Sequence, residues 1–269
     1  MNLISEVLQK KRQDSQCALI PFVTAGYPSI DLTIEALFML DKQGADVIEL
    51  GIPYSDALAD GPLIQRASKV ALDNGVYIDQ VLFILSKIQS KIVVPIIIFT
   101  YYNPILVRGL SHFIQEISEL GVKGLIIPDL PIEETEYVLD LCYFYKLELI
   151  FFVSPTSSKK RITNIVAQAP GCVYLVSSTG VTGIRDDISS DIYYISEHIN
   201  SQTDKVIMLG FGISSPFQVA NILKTSLHID AIVIGSAFTN ILSYYSHHNS
   251  IDVIQKLGYF CKQIKEVMI

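Results

Sequence analysis

The run Val47-Ile48-Glu49-Leu50-Gly51, followed by Ile52-Pro53-Tyr54-Ser55-Asp56-Ala57-Leu58-Ala59-Asp60-Gly61-Pro62, sets one carboxylate at the end of an apolar strand and another in the loop beyond it. Side chains alternate across a strand, so Val47, Glu49 and Gly51 share one face and Ile48 and Leu50 the other. Glu49 is therefore expected to point inward among apolar neighbours. Desolvation there raises a carboxyl pKa toward the range in which one group can both give and take a proton. The plainer alternative pairs Glu49 with a cation elsewhere in the chain and uses Asp60 to cap a helix that opens near Pro62.

The elements that must hold these acids alternate along the chain. Short β-rich runs at Ala18 to Val23, Val47 to Leu50, Val93 to Phe99, Val122 to Ile127, Leu147 to Val153, Cys172 to Val176, Val206 to Leu209 and Ile229 to Ile234 read as strands. Helical spacing separates them, as in Ile30 to Lys42, Leu110 to Leu120, Glu133 to Tyr145, Lys159 to Ala167 and Pro216 to Lys224. Strands joined by helical crossovers pair in parallel, and eight such units close into a barrel. The expected fold is α/β, a single (β/α)8 TIM barrel over residues 1–269. It has an amphipathic helix at its N-terminus and further helices between Pro62 and Ser90 and after Ser236. The competing architecture, an open doubly wound sheet, would carry a Gly-x-Gly-x-x-Gly turn after its first strand; Thr24-Ala25-Gly26-Tyr27-Pro28 stands there instead.

In such a barrel the loops at the carboxyl ends of the strands build one surface. Strand 3 leads into Tyr101-Tyr102-Asn103-Pro104 and strand 4 into Pro128-Asp129-Leu130-Pro131. Strand 6 leads into the small, polar stretch from Ser177 to Ser190, long enough to serve as a lid. Strands 7 and 8 end in Gly210-Phe211-Gly212-Ile213-Ser214-Ser215-Pro216 and Gly235-Ser236-Ala237. Each glycine turn opens a helix whose exposed amides favour an anion, and together with Gly183 they read as a phosphomonoester cup. Taken singly, either turn is ordinary punctuation, with Ser215 as N-cap and Pro216 at the first helical position.

Composition removes several classes. Half of the 269 residues are hydrophobic, yet no apolar run reaches the ~18 residues of a membrane span, and the first ten residues lack the apolar core of a signal peptide. The formal charge of -7, with Lys159-Lys160-Arg161 as a solvated helix face, speaks against nucleic acid. Cys17, Cys142, Cys172 and Cys261 show no metal or disulfide spacing, and none of the five histidines falls at the carboxyl end of a strand, so no metal centre is expected. A cytoplasmic setting follows as an expectation.

These motifs, in this order and over the whole chain, resemble the tryptophan synthase alpha subunit family. The resemblance rests on Pro21-Phe22-Val23-Thr24-Ala25-Gly26-Tyr27-Pro28, Glu49 through Asp56, Ala59-Asp60-Gly61-Pro62, Tyr101 through Pro104, Pro128 through Pro131, Gly180-Val181-Thr182-Gly183, Gly210 through Ser214 and Gly235-Ser236-Ala237. It implies retro-aldol cleavage of indole-3-glycerol phosphate to indole and glyceraldehyde 3-phosphate, with no cofactor in this subunit. It also implies a pyridoxal-phosphate beta partner in an alpha2beta2 heterotetramer. By the same resemblance Glu49 is the general acid/base, Asp60 the carboxylate facing the indole N–H, and Thr182 the lid residue that closes over Asp60. Phe22, Tyr102, Leu125, Ile127, Asp129 and Tyr174 shape the indole and glycerol pocket, and Gly183, Gly212, Gly235 and Ser236 hold phosphate. Ala57 stands where the family often has proline, which implies a looser acidic loop. Ser226-Leu227-His228-Ile229-Asp230 replaces a smaller turn at the far end of the barrel, which implies local repacking. Three rivals keep part of this pattern: a stand-alone lyase releasing free indole, an idle regulatory subunit, and another phosphosugar barrel enzyme.

Overall fold

The computed structural model describes residues 3–176, 190–210, 212–246 and 249–268. Eight strands, β1 (Ala18–Thr24), β2 (Ile48–Gly51), β3 (Ile96–Phe99), β4 (Gly124–Ile126), β5 (Glu148–Val153), β6 (Cys172–Val176), β7 (Val206–Gly210) and β8 (Ala231–Ile234), close in chain order into a parallel barrel. The helices of its first half are α1 (Leu3–Gln13), α2 (Ile30–Lys42), α3 (Pro62–Asp73), α4 (Ile78–Ile88), α5 (Tyr102–Arg108) and α6 (Leu110–Glu119). Those of its second half are α7 (Glu136–Phe144), α8 (Lys159–Gln168), α9 (Ser190–Asn200), α10 (Pro216–Leu223), α11 (Ser236–Ser243) and α12 (Ser250–Glu266). The expected eight strands are all present, and the additional helices fall where the spacing predicts them.

The strands are short and apolar because both of their faces are covered. Leu19, Ile48, Leu50, Ile98, Leu125 and Ile127 point out and pack against the helices. Ile20, Phe22, Val47, Ile97, Phe99, Ile126 and Tyr174 point into the barrel. Local chemistry fixes where helices begin: Ser29, Ser158, Ser215 and Asn249 each accept a hydrogen bond from the backbone N–H three residues on, at 2.8–3.2 Å. Each such cap contributes about 1 kcal/mol.

Helix α1 closes the floor of the barrel. Ile4 and Leu8, one turn apart, have no exposed surface and join the inward-facing side chains. Burying two such side chains contributes roughly 1.5–3 kcal/mol each. Polar ties reinforce the plug. The Arg12 guanidinium bridges both oxygens of Asp230 at 2.5 and 2.6 Å, and Asp230 also accepts from the Ile207 N–H at 2.7 Å. In the turn before β8, Leu227 is buried.

Candidate active site

Alternation along β2 turns Glu49 into the barrel, opposite Phe22 in the parallel register with β1. Glu49 is 1% exposed, and its Oε2 is buried with no hydrogen-bond partner. No cation pairs with it among the described residues, so the ion-pair alternative finds no support there. Burial, helped by the nearby Asp60 charge, pushes its carboxyl up to about 8. It is therefore a proton donor at neutral pH.

Asp60 is buried in the loop after β2, and it does not cap α3, whose N-cap is Gly61 without a side-chain bond. Burial raises its carboxyl to about 6, against the pull of a hydrogen bond from the Tyr101 hydroxyl to Oδ2 at 3.0 Å. The loop that carries it is well tied: the Ala57 carbonyl accepts from the Asp60 N–H at 3.1 Å and from Gln65 Nε2 at 3.0 Å. Ala57 itself is buried among the inward-facing side chains, so packing holds the position that proline would stiffen.

An aromatic wall surrounds the two acids. Phe22 meets Phe99 edge-on at 5.8 Å, Phe99 meets Tyr101 at 6.1 Å and Phe152 at 6.3 Å, and Phe152 meets Tyr174 at 4.7 Å. Edge-to-face pairs of this kind contribute about 0.5–1.5 kcal/mol each beyond the area they bury. Burial, with Glu49 and Asp60 nearby, raises the Tyr174 phenol far above its ordinary range, so it stays a neutral hydroxyl beside both carboxylates. Gly210 lets this ring in, since a Cβ there would run into the Tyr174 hydroxyl and ring.

Of the residues expected to shape the pocket, Phe22 and Tyr174 join Glu49 and Asp60 in the barrel. Four others do not. Leu125 and Ile127 face the helices, because the inward set on β4 is Gly124 and Ile126. Tyr102 is the first residue of α5 and packs half-buried in the outer layer, while Tyr101 continues the inward set Ile97 and Phe99. Asp129 is exposed, and its Oδ1 accepts from the Tyr102 N–H at 2.9 Å, so it caps α5 from the neighbouring loop. Phe99, Tyr101, Ile126 and Phe152 are the inward residues that the sequence reading passed over. Continued alternation from Ile97 and Gly124 is the signal that finds the first three.

The glycine turns after β7 and β8 each open a helix, a form that fits the phosphate reading and ordinary helix punctuation alike. Gly212 holds a φ of +80°, a backbone conformation that costs other residues strain, and the helix α10 that follows is capped by Ser215. Gly235 caps α11 with no side-chain bond to its first turn, and Ser236 opens that helix. Thr182, Gly183 and the rest of the expected lid, residues 177–189, lie outside the described residues.

Comparison with known proteins agrees with this geometry. A family model described as Tryptophan synthase alpha chain matches residues 8–268. A tryptophan synthase alpha chain from Gracilaria tenuistipitata var. liui is 56% identical over 265 residues, covering 98% of this chain and 96% of the relative. One from Antithamnion sp. is 54% identical over 269 residues, the full length of both. Among solved structures, Mycobacterium tuberculosis tryptophan synthase superposes with a TM-score of 0.89 at 29% identity, over 99% of this chain and 98% of that one. Tryptophan synthase subunit alpha from Legionella pneumophila str. Paris does so at 0.86 and 32% identity, over 100% and 98%. A family model spanning residues 8–268, with relatives more than half identical over nearly the whole length, has one reading: the chain belongs to the tryptophan synthase alpha chain family.

Proposed function

We propose that Glu49 and Asp60 carry out the lyase reaction of this family, the retro-aldol cleavage of indole-3-glycerol phosphate to indole and glyceraldehyde 3-phosphate in tryptophan biosynthesis. The supporting observation is the lone buried oxygen of Glu49 beside a second buried acid inside an aromatic wall. Glu49, protonated, donates to indole C3. The ring becomes an indolenine cation, and the Asp60 carboxylate stabilises the charge by accepting the ring N–H, an interaction that strengthens as the charge develops. Glu49, now ionised, takes the proton of the hydroxyl on the adjacent chain carbon. The C–C bond breaks, its electron pair returns to the indole ring, the alcohol becomes an aldehyde, and Glu49 ends as it began.

Phe22 and Tyr174 pack against the substrate, and the phosphate sits on the amides around Gly212, Gly235 and Ser236, with Gly183 from the following loop and Thr182 closing over Asp60. Acid and base are both side chains, so the subunit needs no cofactor of its own. Its partner is a pyridoxal-phosphate beta subunit in an alpha2beta2 complex that consumes the indole. Among the described residues no helix is long and apolar enough to cross a membrane, and all four cysteines are free, which supports a cytoplasmic setting.

The test is indole release from indole-3-glycerol phosphate by the full chain, alone and with a beta subunit. Turnover is expected to rise on saturation with beta, and a bound alpha-site ligand to tighten the complex in return. Full activity of the free chain, unchanged by beta, would replace this reading with the stand-alone lyase.

A further inference from the structure

At the carboxyl end of β3, the Tyr101 ring reaches across to the acidic loop of the neighbouring strand and makes two hydrogen bonds with one oxygen. It donates to Asp60 Oδ2 at 3.0 Å and accepts from the Ala59 N–H at 3.0 Å. The ring is held by its neighbours, edge-on against Phe99 and tilted against Tyr54 at 5.2 Å. A rigid phenol, 2% exposed, thus satisfies a loop amide and a buried carboxylate that have no strand partner of their own.

We propose that Tyr101 is a positioning residue for the cleavage reaction: its hydroxyl anchors the acidic loop to β3 through Ala59 and holds the Asp60 carboxylate in one orientation, with Oδ1 turned to the substrate. This rests on the role given to Asp60 above. Three things follow from the geometry. A phenol donating to a carboxylate favours the ionised form, the one that accepts an indole N–H. With Oδ2 occupied, Oδ1 takes the substrate proton donor, which sets the plane of the indole against Glu49. Because the donor is placed before substrate arrives, no reorganisation is required when positive charge develops on the ring nitrogen.

The experiment is Tyr101→Phe in the full chain with its beta subunit, followed by kcat, KM and the pH profile of kcat/KM. Phenylalanine keeps the ring contacts and removes only the hydroxyl. A hydrogen bond to a charged group stabilises by about 1.5–3 kcal/mol, so kcat should fall on the order of 10- to 100-fold with KM changed less than threefold. The acid limb of the profile should move up in pH, because Asp60 loses the bond that favours its anion. In a double-mutant cycle Tyr101→Phe should have little further effect once Asp60→Asn is present, as expected of a residue acting through another.

A wild-type-like kcat with an unmoved acid limb would overturn the proposal, and so would fully additive losses in the cycle. If the variant does not fold, the wild-type chain decides by hydrogen exchange. The Ala59 amide should be protected alongside those of β3, and free exchange there would remove the anchor. Failure of the wild-type complex to cleave indole-3-glycerol phosphate would instead strike the functional reading itself.

Discussion

The two ends of the barrel both bury carboxylates, and they treat them in opposite ways. At the floor, Asp46 meets Lys265 at 2.6 Å, Lys11 at 3.0 Å and the Leu19 N–H at 2.8 Å; Asp230 meets Arg12 and the Ile207 N–H; Glu148 accepts from the Ser5 N–H at 3.0 Å and from its hydroxyl. At the mouth, among the described residues, Glu49 keeps an oxygen with no partner, and Asp60 has a single phenol. Burying a carboxylate costs several kcal/mol unless partners offset it. Asp46 and Asp230 are so offset by cations and hold the fold together, while Glu148, tied to Ser5, is itself pushed up by burial. Glu49 is left uncompensated and Asp60 is held by the Tyr101 hydroxyl, and burial raises both carboxyls.

The contrast predicts activity without stability at one end and stability without activity at the other. Glu49→Gln should abolish cleavage while substrate still binds, and Asp60→Asn should lower kcat at least ~10²-fold, about 2.7 kcal/mol, in single-turnover assays. Near-normal turnover in either variant would remove its assigned role. At the floor, Arg12→Ala leaves Asp230 without its cation and should destabilise the fold by about 1.5–3 kcal/mol, read in urea unfolding, with kcat per folded molecule unchanged. A loss of kcat comparable to that at Glu49 would erase the distinction between the two ends.

Acid–base titration sharpens the same comparison. The active form carries a protonated Glu49 and an ionised Asp60. The kcat/KM profile should therefore fall below pH about 6 as Asp60 protonates and above pH about 8 as Glu49 ionises. Stability follows the sign of the Glu49 shift. Its folded pKa lies above the ordinary 4.5, so the folded state holds the proton more tightly and stability declines as pH rises from about 4.5 to about 8. Glu49→Gln removes that decline, and its melting temperature relative to wild type should rise across this window by on the order of 10 °C, at about 2–4 °C per kcal/mol. A pH-independent difference would show that Glu49 does not titrate there. The smallest effect is expected from Tyr102→Phe, which lies on the helix side of the wall; kcat within twofold of wild type, measured beside Tyr101→Phe, would separate the two adjacent tyrosines.

Those tyrosines also mark the limit of what the sequence displays. Apolar periodicity is enough to order eight strands and to turn Glu49 inward, because β2 has a single polar residue to place. At Tyr101-Tyr102 the two side chains are chemically alike, and a displacement of one residue exchanges the faces of a strand. The same displacement separates Ile126, inside, from Leu125 and Ile127, outside. Only the alternation carried forward from Ile97 and Gly124 decides both cases. Asp129 is harder to read, since its partner is a backbone N–H in another loop. The floor network is invisible to local pattern for a similar reason: Asp46, Glu148 and Asp230 look like ordinary polar residues next to strands until the fold brings their partners to them.

That network has a consequence for how the polypeptide is made. Ser5 waits for Glu148, 143 residues later, and Arg12 for Asp230, 218 residues later; Asp46 waits 219 residues for Lys265. At roughly 5–20 residues per second, a nascent chain spends on the order of tens of seconds with its first helix outside the ribosome and nothing to dock against. The apolar stripe of Ile4 and Leu8 is exposed for that whole interval. Closure of the barrel thus waits on its last strand and α12, and α1, made before any of the strands, is among the last elements to be seated.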